Sequence, residues 1–573
     1  MTPPIFRKLV LAALLGSAAP PINAQETPGS DQDLGAYLAG RAAAIDRDFA
    51  AAALYFGQAS VADPTNPALL ENTLAGLLGL GQIDAALPVS GQIIQLGFDS
   101  QFAHMVQSAT AASGDNWDAI FVNLDAGQSV GPLVDGLTRA WAFVGKGQMT
   151  DAIAAFDAVI AAPGLKAFGL YHKALALATV GDFEAADVIF AMPSTEGMQH
   201  TRQSSIAHAQ VLSQLGRNAD AVAMLDSTFG ASLDPSLLAL RTLLTADGVV
   251  PFNFTPDAKA GLAEVYYSVA MALGEDTSDA YKLVYGRIAQ YLNPDNTGIN
   301  LLVAALLERM ERYELANATY DLIAPDDPAF LAAELGRAAV LRRAGQPETA
   351  IEVLQQLAEK QPDSPVVLAT LGDALRGLER FAEANDAYSR ALDMYGPTDP
   401  ARWFVLYTRG IALQRLDQWP AAEADFRASL ALSPGRPQVL NYLGYSLVEE
   451  GLNLDEALGM IEQAVAAAPD NGAIVDSLGW VLFQLGRYDE AVIHMERAAA
   501  LEPVDPVVND HLGDVYWAVG RLNEAQFQWN RALSFDPTEA DATRIRDKLA
   551  QGLDAVLAAE GAAPLKFASD VSP

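Results

Sequence analysis

The sequence predicts an all-α fold, a right-handed superhelix (α-solenoid) of roughly fourteen helix-turn-helix units in two arcs. The first observation behind this prediction is a repeat of about 34 residues. "DSLGWVLFQLGRYDEAVIHMERAAALEP" begins at Asp476, and the similar "DHLGDVYWAVGRLNEAQFQWNRALSFDP" begins at Asp510. The others are a composition rich in Ala and Leu, which favours helix, and small residues at fixed positions. Stacked units share one continuous core, so the 573 residues need not divide into separate globular domains.

The small residues mark where two helices of one unit approach within about 8–10 Å. The first mark of successive units is Ala304, Ala338, Gly372, Gly410, Gly444, Gly479 and Gly513. A second small residue follows about twelve positions later at Ala316, Ala350, Ala384, Ala422, Ala457, Ala491 and Ala525. A large side chain comes four residues after most of these, and a proline ends most units. This spacing identifies the tetratricopeptide repeat (TPR).

The repeat pattern and its breaks predict the organisation of the chain. Arg7 and Lys8, the apolar stretch from Leu9 to Ala19 and a small-residue cleavage site indicate a secretory signal peptide. The predicted segments are a signal peptide (1–24), an N-terminal TPR array of degenerate repeats (25–228), an irregular joint (229–256), a C-terminal TPR array (257–538), a capping helix (539–558) and a flexible tail (559–573).

Composition restricts the partners and the location. The formal net charge is −35, and such a surface repels nucleic acid and anionic lipid. The chain has no cysteine, so it has neither a disulfide nor a lipid-bearing cysteine. With the predicted signal peptide, these features indicate export across the inner membrane to the periplasm as a soluble protein without stable membrane insertion.

No pattern in the sequence predicts catalysis, a cofactor or a metal. The chain lacks the HExxH, GxSxG, GxxxxGK[ST] and GxGxxG motifs. Of the six histidines, His200 and His208 are too far apart for a credible zinc site, and His511 is expected to be solvated or to face a partner. Two alternatives stay open, a hydrolase within 229–256 with Ser232 as nucleophile and a self-assembling structural array.

The first helix of each TPR unit lines the concave groove, where a protein segment can bind. The predicted groove residues of the C-terminal units are Asn441, Tyr445, Asp476, Trp480, Phe483, Asp510, Asp514 and Trp517. Aromatic side chains interleaved with carboxylates suit apolar and basic side chains of a partner. Trp141 occupies an equivalent position in an earlier unit. The alternative is that superhelical packing buries these aromatics against the neighbouring unit.

Residues 441–491, "NYLGYSLVEEGLNLDEALGMIEQAVAAAPDNGAIVDSLGWVLFQLGRYDEA", resemble large exported TPR proteins of Gram-negative bacteria. That group includes an adaptor that binds a carboxyl-terminal processing protease and brings it substrates. The resemblance implies a non-catalytic scaffold whose partners are proteins or peptides, including a periplasmic protease and its cell-envelope substrates. The adaptor's lipid-bearing cysteine is missing here. The alternative function is a TPR factor for outer-membrane or division-complex assembly without a protease partner.

Overall fold

The computed structural model describes residues 33–230, 233–246, 248–562 and 565. These residues form thirty-one α-helices and one short 3₁₀-helix, with no β-strand among them. The predicted all-α fold of helix-turn-helix units is therefore confirmed. The predicted signal peptide (1–24) and most of the predicted tail (559–573) lie outside the described residues.

The chain divides into two compact units, unit 1 ending at Met310 and unit 2 beginning at Glu311. The helices of unit 1 are α1 (Leu34–Ile45), α2 (Phe49–Ala62), α3 (Pro67–Leu80), α4 (Ile83–Gln95), α5 (Gln101–Ser113), α6 (Trp117–Asp125), α7 (Pro132–Gly145), α8 (Met149–Ala161), α9 (Lys166–Thr179), α10 (Phe183–Phe190), α11 (Arg202–Gln214), α12 (Asn218–Phe229), α13 (Pro235–Thr245), α14 (Ala258–Ala272), α15 (Asp279–Leu292) and α16 (Thr297–Arg309).

Unit 2 continues the helix pairs. Its helices are α17 (Tyr313–Tyr320), α18 (Phe330–Arg343), α19 (Pro347–Lys360), α20 (Pro365–Gly377), α21 (Phe381–Met394), α22 (Arg402–Arg415), α23 (Trp419–Leu432), α24 (Pro437–Glu449), α25 (Leu454–Ala467), α26 (Gly472–Gln484), α27 (Tyr488–Leu501), α28 (Pro506–Ala518), α29 (Leu522–Leu533), α30 (Glu539–Gln551) and α31 (Leu553–Ala559).

The small residues predicted to allow close approach do so inside the pairs. A Cβ atom on Gly479 would lie 2.7 Å from the Met495 side chain, and one on Gly513 would lie 2.4 Å from Trp529. Trp529 is fully buried, as the sequence predicts for this inter-helix position. Any larger residue at these glycines would force the two helices apart.

Helix ends follow local chain chemistry. Asp505 caps α28 by accepting hydrogen bonds from two backbone N–H groups, and Pro506 takes the first helical position, where no donor is needed. The chain then leaves α28 through Gly520, whose φ of +81° is left-handed backbone that glycine adopts freely. Short turns of this kind place consecutive helices antiparallel.

Two segments differ from the simple repeat. The stretch predicted as an irregular joint (229–256) contains α13, and the division between the compact units lies instead at Met310. The predicted capping helix (539–558) consists of α30 and α31, separated at Gly552 with φ +85°. A Cβ atom at Gly552 would also lie 2.6 Å from the Trp517 ring, so both conformation and space require glycine there.

Candidate functional site

The first helices of successive pairs form one face of each unit, which we call the inner face. In unit 1 it is formed by α3, α5, α7, α9 and α11. Helices α14 and α15 lie on it, because α14 packs on α7 and α9 while α15 packs on α3 and α5. The inner face of unit 1 is therefore covered by a later part of the same chain.

The contact between α14 and α7 is close. A Cβ atom on Gly261 would lie 2.3 Å from the ring of Trp141, which is fully buried. The indole Nε1 of Trp141 donates to His172 Nδ1 at 3.2 Å, and burial lowers the pKa of His172 to about 3. Trp141, predicted to line a groove, is thus a packing residue beneath α14.

Before α14, an extended stretch from Gly248 to Thr255 lies along α9 and α11. Side chains of α9, α11 and α12 bind its main chain, and Gln210 and Thr179 also bind the side chains of Asn253 and Thr255. The hydrogen bonds run from Asn218 Nδ2 to Gly248 O (2.8 Å), Val250 N to Ser213 Oγ (2.8 Å), Gln214 Nε2 to Val250 O (2.7 Å), Asn253 N to Gln210 Oε1 (3.1 Å), Phe254 N to Gln210 Oε1 (3.1 Å) and Thr179 Oγ1 to Thr255 O (2.8 Å). We call residues 248–292 the filling segment.

The inner face of unit 2, formed by α18, α20, α22, α24, α26 and α28, has no such cover among the described residues. The extensive contacts there join helices that are neighbours or next neighbours along the chain. Val366, Phe404 and Val507 occupy first-helix positions and remain 41%, 44% and 45% exposed. Apolar side chains on this face are thus available for contact.

A cavity of about 430 Å³ lies on this face where α24, α26, α28 and α30 meet. Tyr445 and Trp480 form aromatic walls, and the indole Nε1 of Trp480 donates to Glu449 Oε1 at 2.9 Å. The Trp480 ring stacks on His511 with centroids 4.0 Å apart and on Phe483 with centroids 5.0 Å apart. The structure thus brings the predicted Tyr445, Trp480 and Phe483 into one aromatic cluster.

Most of these aromatic side chains are largely buried. Trp480 is 8% exposed and Phe483 is 6% exposed, although Trp480 still contributes to the cavity wall. Trp517 is partly buried beside Trp529 and donates to Asp554 Oδ2 at 2.8 Å. Asn441 is half-buried, and its Oδ1 atom is buried without a hydrogen-bond partner among the described residues.

The three predicted carboxylates already have cationic partners in the chain. Asp476 lies 3.0 Å from His511 Nδ1, Asp510 lies 2.8 Å from Lys548 Nζ, and Asp514 lies 2.7 Å from the same nitrogen. The expectation that His511 is solvated or faces a partner is wrong. It is 8% exposed because it packs between Trp480 and Asp476.

Burial and charge together alter the protonation of this cluster. Burial and the nearby Asp514 raise the pKa of Asp510 to about 6, against the opposing effect of Lys548. Burial alone lowers the pKa of His511, but Asp476, with Asp510 and Asp514, outweighs it and raises the pKa. His511 therefore favours its cationic form beside Asp476.

Sequence reasoning missed the contribution of α30, which it treated only as a cap. Lys548 is almost fully buried and Arg544 lines the cavity, four residues apart on one helix face. The sequence signal for this contribution is the pair of basic residues, Arg544 and Lys548, in an otherwise acidic region. The carboxylates left exposed at the cavity belong to Glu449 and Asp541. The arrangement can accept a cationic side chain against an aromatic wall.

Other kinds of site find no support among the described residues. They contain no group of three or more side chains suited to hold a metal ion. No helix in the described ranges has both the length and the apolar character of a membrane span. Ser232 lies outside the residues that the structure describes.

Comparisons with known proteins agree with this architecture. Family models for the tetratricopeptide repeat match residues 331–374 and 450–506, so both segments are TPRs. A TPR repeat-containing protein of Pseudomonas aeruginosa is 31% identical over 159 residues, covering 28% of this chain and 26% of that protein. Human tetratricopeptide repeat protein 13 is 25% identical over 190 residues, covering 32% and 21% respectively. The matches thus span about a quarter of these relatives.

Similar solved structures include the Cut9–Hcn1 complex (14% identity, TM-score 0.38, covering 91% of this chain and 96% of that chain). Another is a thermophilic TPR protein of Thermus thermophilus (26% identity, TM-score 0.28, covering 33% and 99%). TPRs generally mediate protein–protein interactions as non-catalytic scaffolds. This chain thus contains TPR segments at residues 331–374 and 450–506 within a succession of helix pairs.

Proposed function

We propose that this protein is a protein-binding adaptor whose binding surface is the inner face of unit 2. The single observation that carries the proposal is the cavity of about 430 Å³ on that face. Its lining combines the aromatic rings of Tyr445 and Trp480 with the exposed carboxylates of Glu449 and Asp541. The inner face of unit 1 is filled by its own chain, so unit 2 is the available groove.

Charge defines the chemistry of the partner. Three carboxylates (Glu449, Asp510 and Asp541) line the cavity with one guanidinium, Arg544, and one imidazole, His511. Asp510 is paired with Lys548, and Arg544 lies 2.8 Å from Glu560, so Glu449 and Asp541 remain as exposed anions. A lysine or arginine flanked by apolar residues fits this cavity, because the carboxylates attract the cation and the rings cover its apolar neighbours.

The predicted groove residues have different parts in this proposal. Tyr445 and Trp480 form the cavity wall, whereas Asn441 does not line the cavity. Phe483 supports the wall by stacking on Trp480, whereas Trp517 packs beside Trp529 and does not line the cavity. Asp476, Asp510 and Asp514 set the acidic field while remaining paired with His511 and Lys548.

The finer proposal concerns location and partner. The sequence of residues 1–24 supports export to the periplasm, and the resemblance of 441–491 to exported TPR proteins supports presentation of cell-envelope substrates to a carboxyl-terminal processing protease. The alternative is a role in outer-membrane or division-complex assembly without a protease. Stimulation of such a protease's cleavage rate by the purified chain would favour the first role; recovery of assembly factors with no effect on cleavage would favour the second.

Binding can be tested with charge-reversed variants and a defined probe. We expect a short labelled peptide of alternating Leu and Lys to bind the full chain, and its Leu–Glu counterpart to bind at least about tenfold more weakly. Glu449→Lys with Asp541→Lys should weaken Leu–Lys binding by a similar factor, measured by fluorescence anisotropy at low salt.

The matched control is Glu352→Lys with Glu462→Lys, which changes net charge equally at exposed residues of α19 and α25, outside the cavity. It should weaken binding far less. Equal loss in both variants, or equal affinity for the two peptides, would show that total charge rather than this cavity governs binding.

A further inference from the structure

A second cavity, of about 410 Å³, lies inside unit 1 between α9, α11 and α14. Its walls are largely apolar and include Phe168, the Tyr171 and Tyr267 rings, and Met271. This volume falls within the roughly 300–1,000 Å³ that accommodates small ligands. The cavity is separate from the proposed groove of unit 2.

This cavity is a local gap in the otherwise close contact between α14 and the inner face of unit 1. At Gly261, α14 approaches α7 so closely that a Cβ atom would lie 2.3 Å from Trp141. One turn further along α14, the cavity begins at Glu264 and continues past Tyr267 to Met271, which is 55% exposed. Helix α14 therefore packs tightly on the inner face near Gly261 and leaves a cavity from Glu264 to Met271.

A single carboxyl group stands at this cavity. Glu264 is only 4% exposed, and its Oε1 accepts a hydrogen bond from the Tyr171 hydroxyl at 2.8 Å. Its Oε2 has no hydrogen-bond partner among the described residues. Burial raises the pKa of Glu264 to about 8 against the opposing effect of Tyr171. Near neutral pH the group is mostly protonated, so Oε2 carries a proton that it can donate into the cavity.

A second hydroxyl is available beside the first. Tyr267 accepts a hydrogen bond from Gln203 Nε2 at 2.8 Å and keeps its own proton to donate, since burial raises its pKa to about 12. An apolar side chain in place of Glu264 would pack without the desolvation penalty that a buried carboxyl group pays. A buried donor retained at an apolar cavity suits a ligand that brings an acceptor.

We propose that this cavity binds a compact apolar group carrying a carbonyl oxygen, which accepts a hydrogen bond from the Glu264 carboxyl group. The same chemistry occurs in a free apolar ketone or amide and in an apolar residue of a partner's peptide chain. Two probes separate these sources: 4-phenylbutan-2-one for the free molecule and N-acetyl-leucine amide for the peptide.

The pH dependence of binding isolates Glu264. The other titratable side chains that line the cavity, Tyr171, Tyr267 and Arg202, do not change charge between about pH 7 and about pH 9. Tyr171 has a pKa raised well above its usual range by burial, His172 has one lowered to about 3, and Arg202 is paired with Asp234 at 2.6 Å. Ionised Glu264 cannot donate, so the dissociation constant should rise roughly tenfold for each pH unit above the pKa.

Calorimetry and ligand-observed NMR on the full chain give the test. We expect at least one probe to bind at about pH 7 and to weaken at about pH 9. Glu264→Gln retains an N–H donor and should bind without this pH dependence, whereas Glu264→Leu should lose binding. Ala167→Phe fills the cavity but leaves the carboxyl group in place, and it should abolish binding. Thermal melts of all three variants verify that they fold.

Several results would overturn the proposal. The proposal is wrong if neither probe binds the wild-type chain, if Glu264→Leu binds as well as wild type, or if the affinity rises with pH. Butylbenzene, which has the apolar body without the carbonyl, should bind more weakly than 4-phenylbutan-2-one; equal binding would also overturn it. If only the ketone binds, the source is a free small molecule; if the peptide amide binds, the cavity accepts a residue of a protein chain.

Discussion

The two inner faces are built from the same repeat but end in opposite states. That of unit 1 is covered by the filling segment, with Trp141 buried under Gly261. That of unit 2 keeps Phe404 and Val507 exposed beside an acidic cavity. The repeat alone therefore does not make a binding surface. What the chain places on the inner face decides whether it is core or groove.

The largest expected effect concerns the carboxylates of unit 2. Lys548→Met leaves Asp510 and the fully buried Asp514 with only Arg544, at 3.9 and 3.6 Å, as a nearby cation. We expect a loss of up to about 3–5 kcal/mol in the free energy of unfolding. Urea denaturation measures it. Arg546→Met, on the same helix but exposed, should cost less than about 1 kcal/mol.

Adding Asp510→Asn and Asp514→Asn to Lys548→Met should recover much of the stability, because no uncompensated charge then stays buried. If Lys548→Met alone is as stable as wild type, the acids of this face do not depend on α30. The inference that Lys548 neutralises the buried carboxylates of unit 2 would then be wrong.

The next effect concerns the buried acid of unit 1. The folded pKa of Glu264 is raised from 4.5 to about 8, so the protonated form is favoured on folding. Its contribution is fully present below about pH 4.5 and is lost as pH rises to about 8, roughly 3–5 kcal/mol in all. The free energy of unfolding of wild type should therefore fall relative to Glu264→Gln across this window. Parallel pH profiles of the two proteins would show that Glu264 is not buried as described.

A smaller effect tests the cover on unit 1 directly. Gly261→Ala places a Cβ atom against the buried Trp141 ring and should cost about 1–3 kcal/mol by overpacking. Gly459→Ala in α25 meets nothing within 4 Å and should instead stabilise by about 0.5–1 kcal/mol through helix propensity. Melting temperatures of the pair distinguish the two glycines. A neutral Gly261→Ala would mean that α14 is not seated on α7.

The smallest effect comes from His511. Its folded pKa is raised, so its stabilisation is fully present below the unfolded pKa of about 6.5 and is lost as pH rises through the folded value. His511→Gln should remove this decline from thermal melts recorded above about pH 6.5. His494, whose pKa is lowered by burial and then by Arg497, supplies a control of opposite sign. If the pH dependence of the melting temperature is the same in His511→Gln as in wild type, the pairing of His511 with Asp476 does not contribute to stability.

The sequence predicts the repeat well because each pair depends on local spacing. Gly479 and Gly513 meet the large side chains sixteen residues later that the pattern assigns to them. The fourteen predicted units also agree with the observed run of helix pairs. All of these features, the period, the turn residues and the positions of small residues, lie within about 34 consecutive residues. They can therefore be predicted without knowledge of distant contacts.

The filling of unit 1 could not be read in this way. Residues 261–294 have the composition of an ordinary repeat, yet Arg287 reaches Gly79 O at 3.3 Å and Tyr281 donates to Gln101 at 2.6 Å. These partners are about two hundred residues apart, and no local pattern encodes them. The burial of Asp510 and Asp514 depends in the same way on Lys548, which the periodicity predicts only as part of a cap.

The main-chain hydrogen bonds to Gly248–Thr255 have a consequence for competition. A covalent tether presents this stretch to α9 and α11 at an effective concentration of order millimolar. A free peptide that made the same bonds would need a comparable concentration to occupy half the sites. Compounds aimed at blocking this protein should therefore be screened against unit 2, where no tethered rival exists among the described residues.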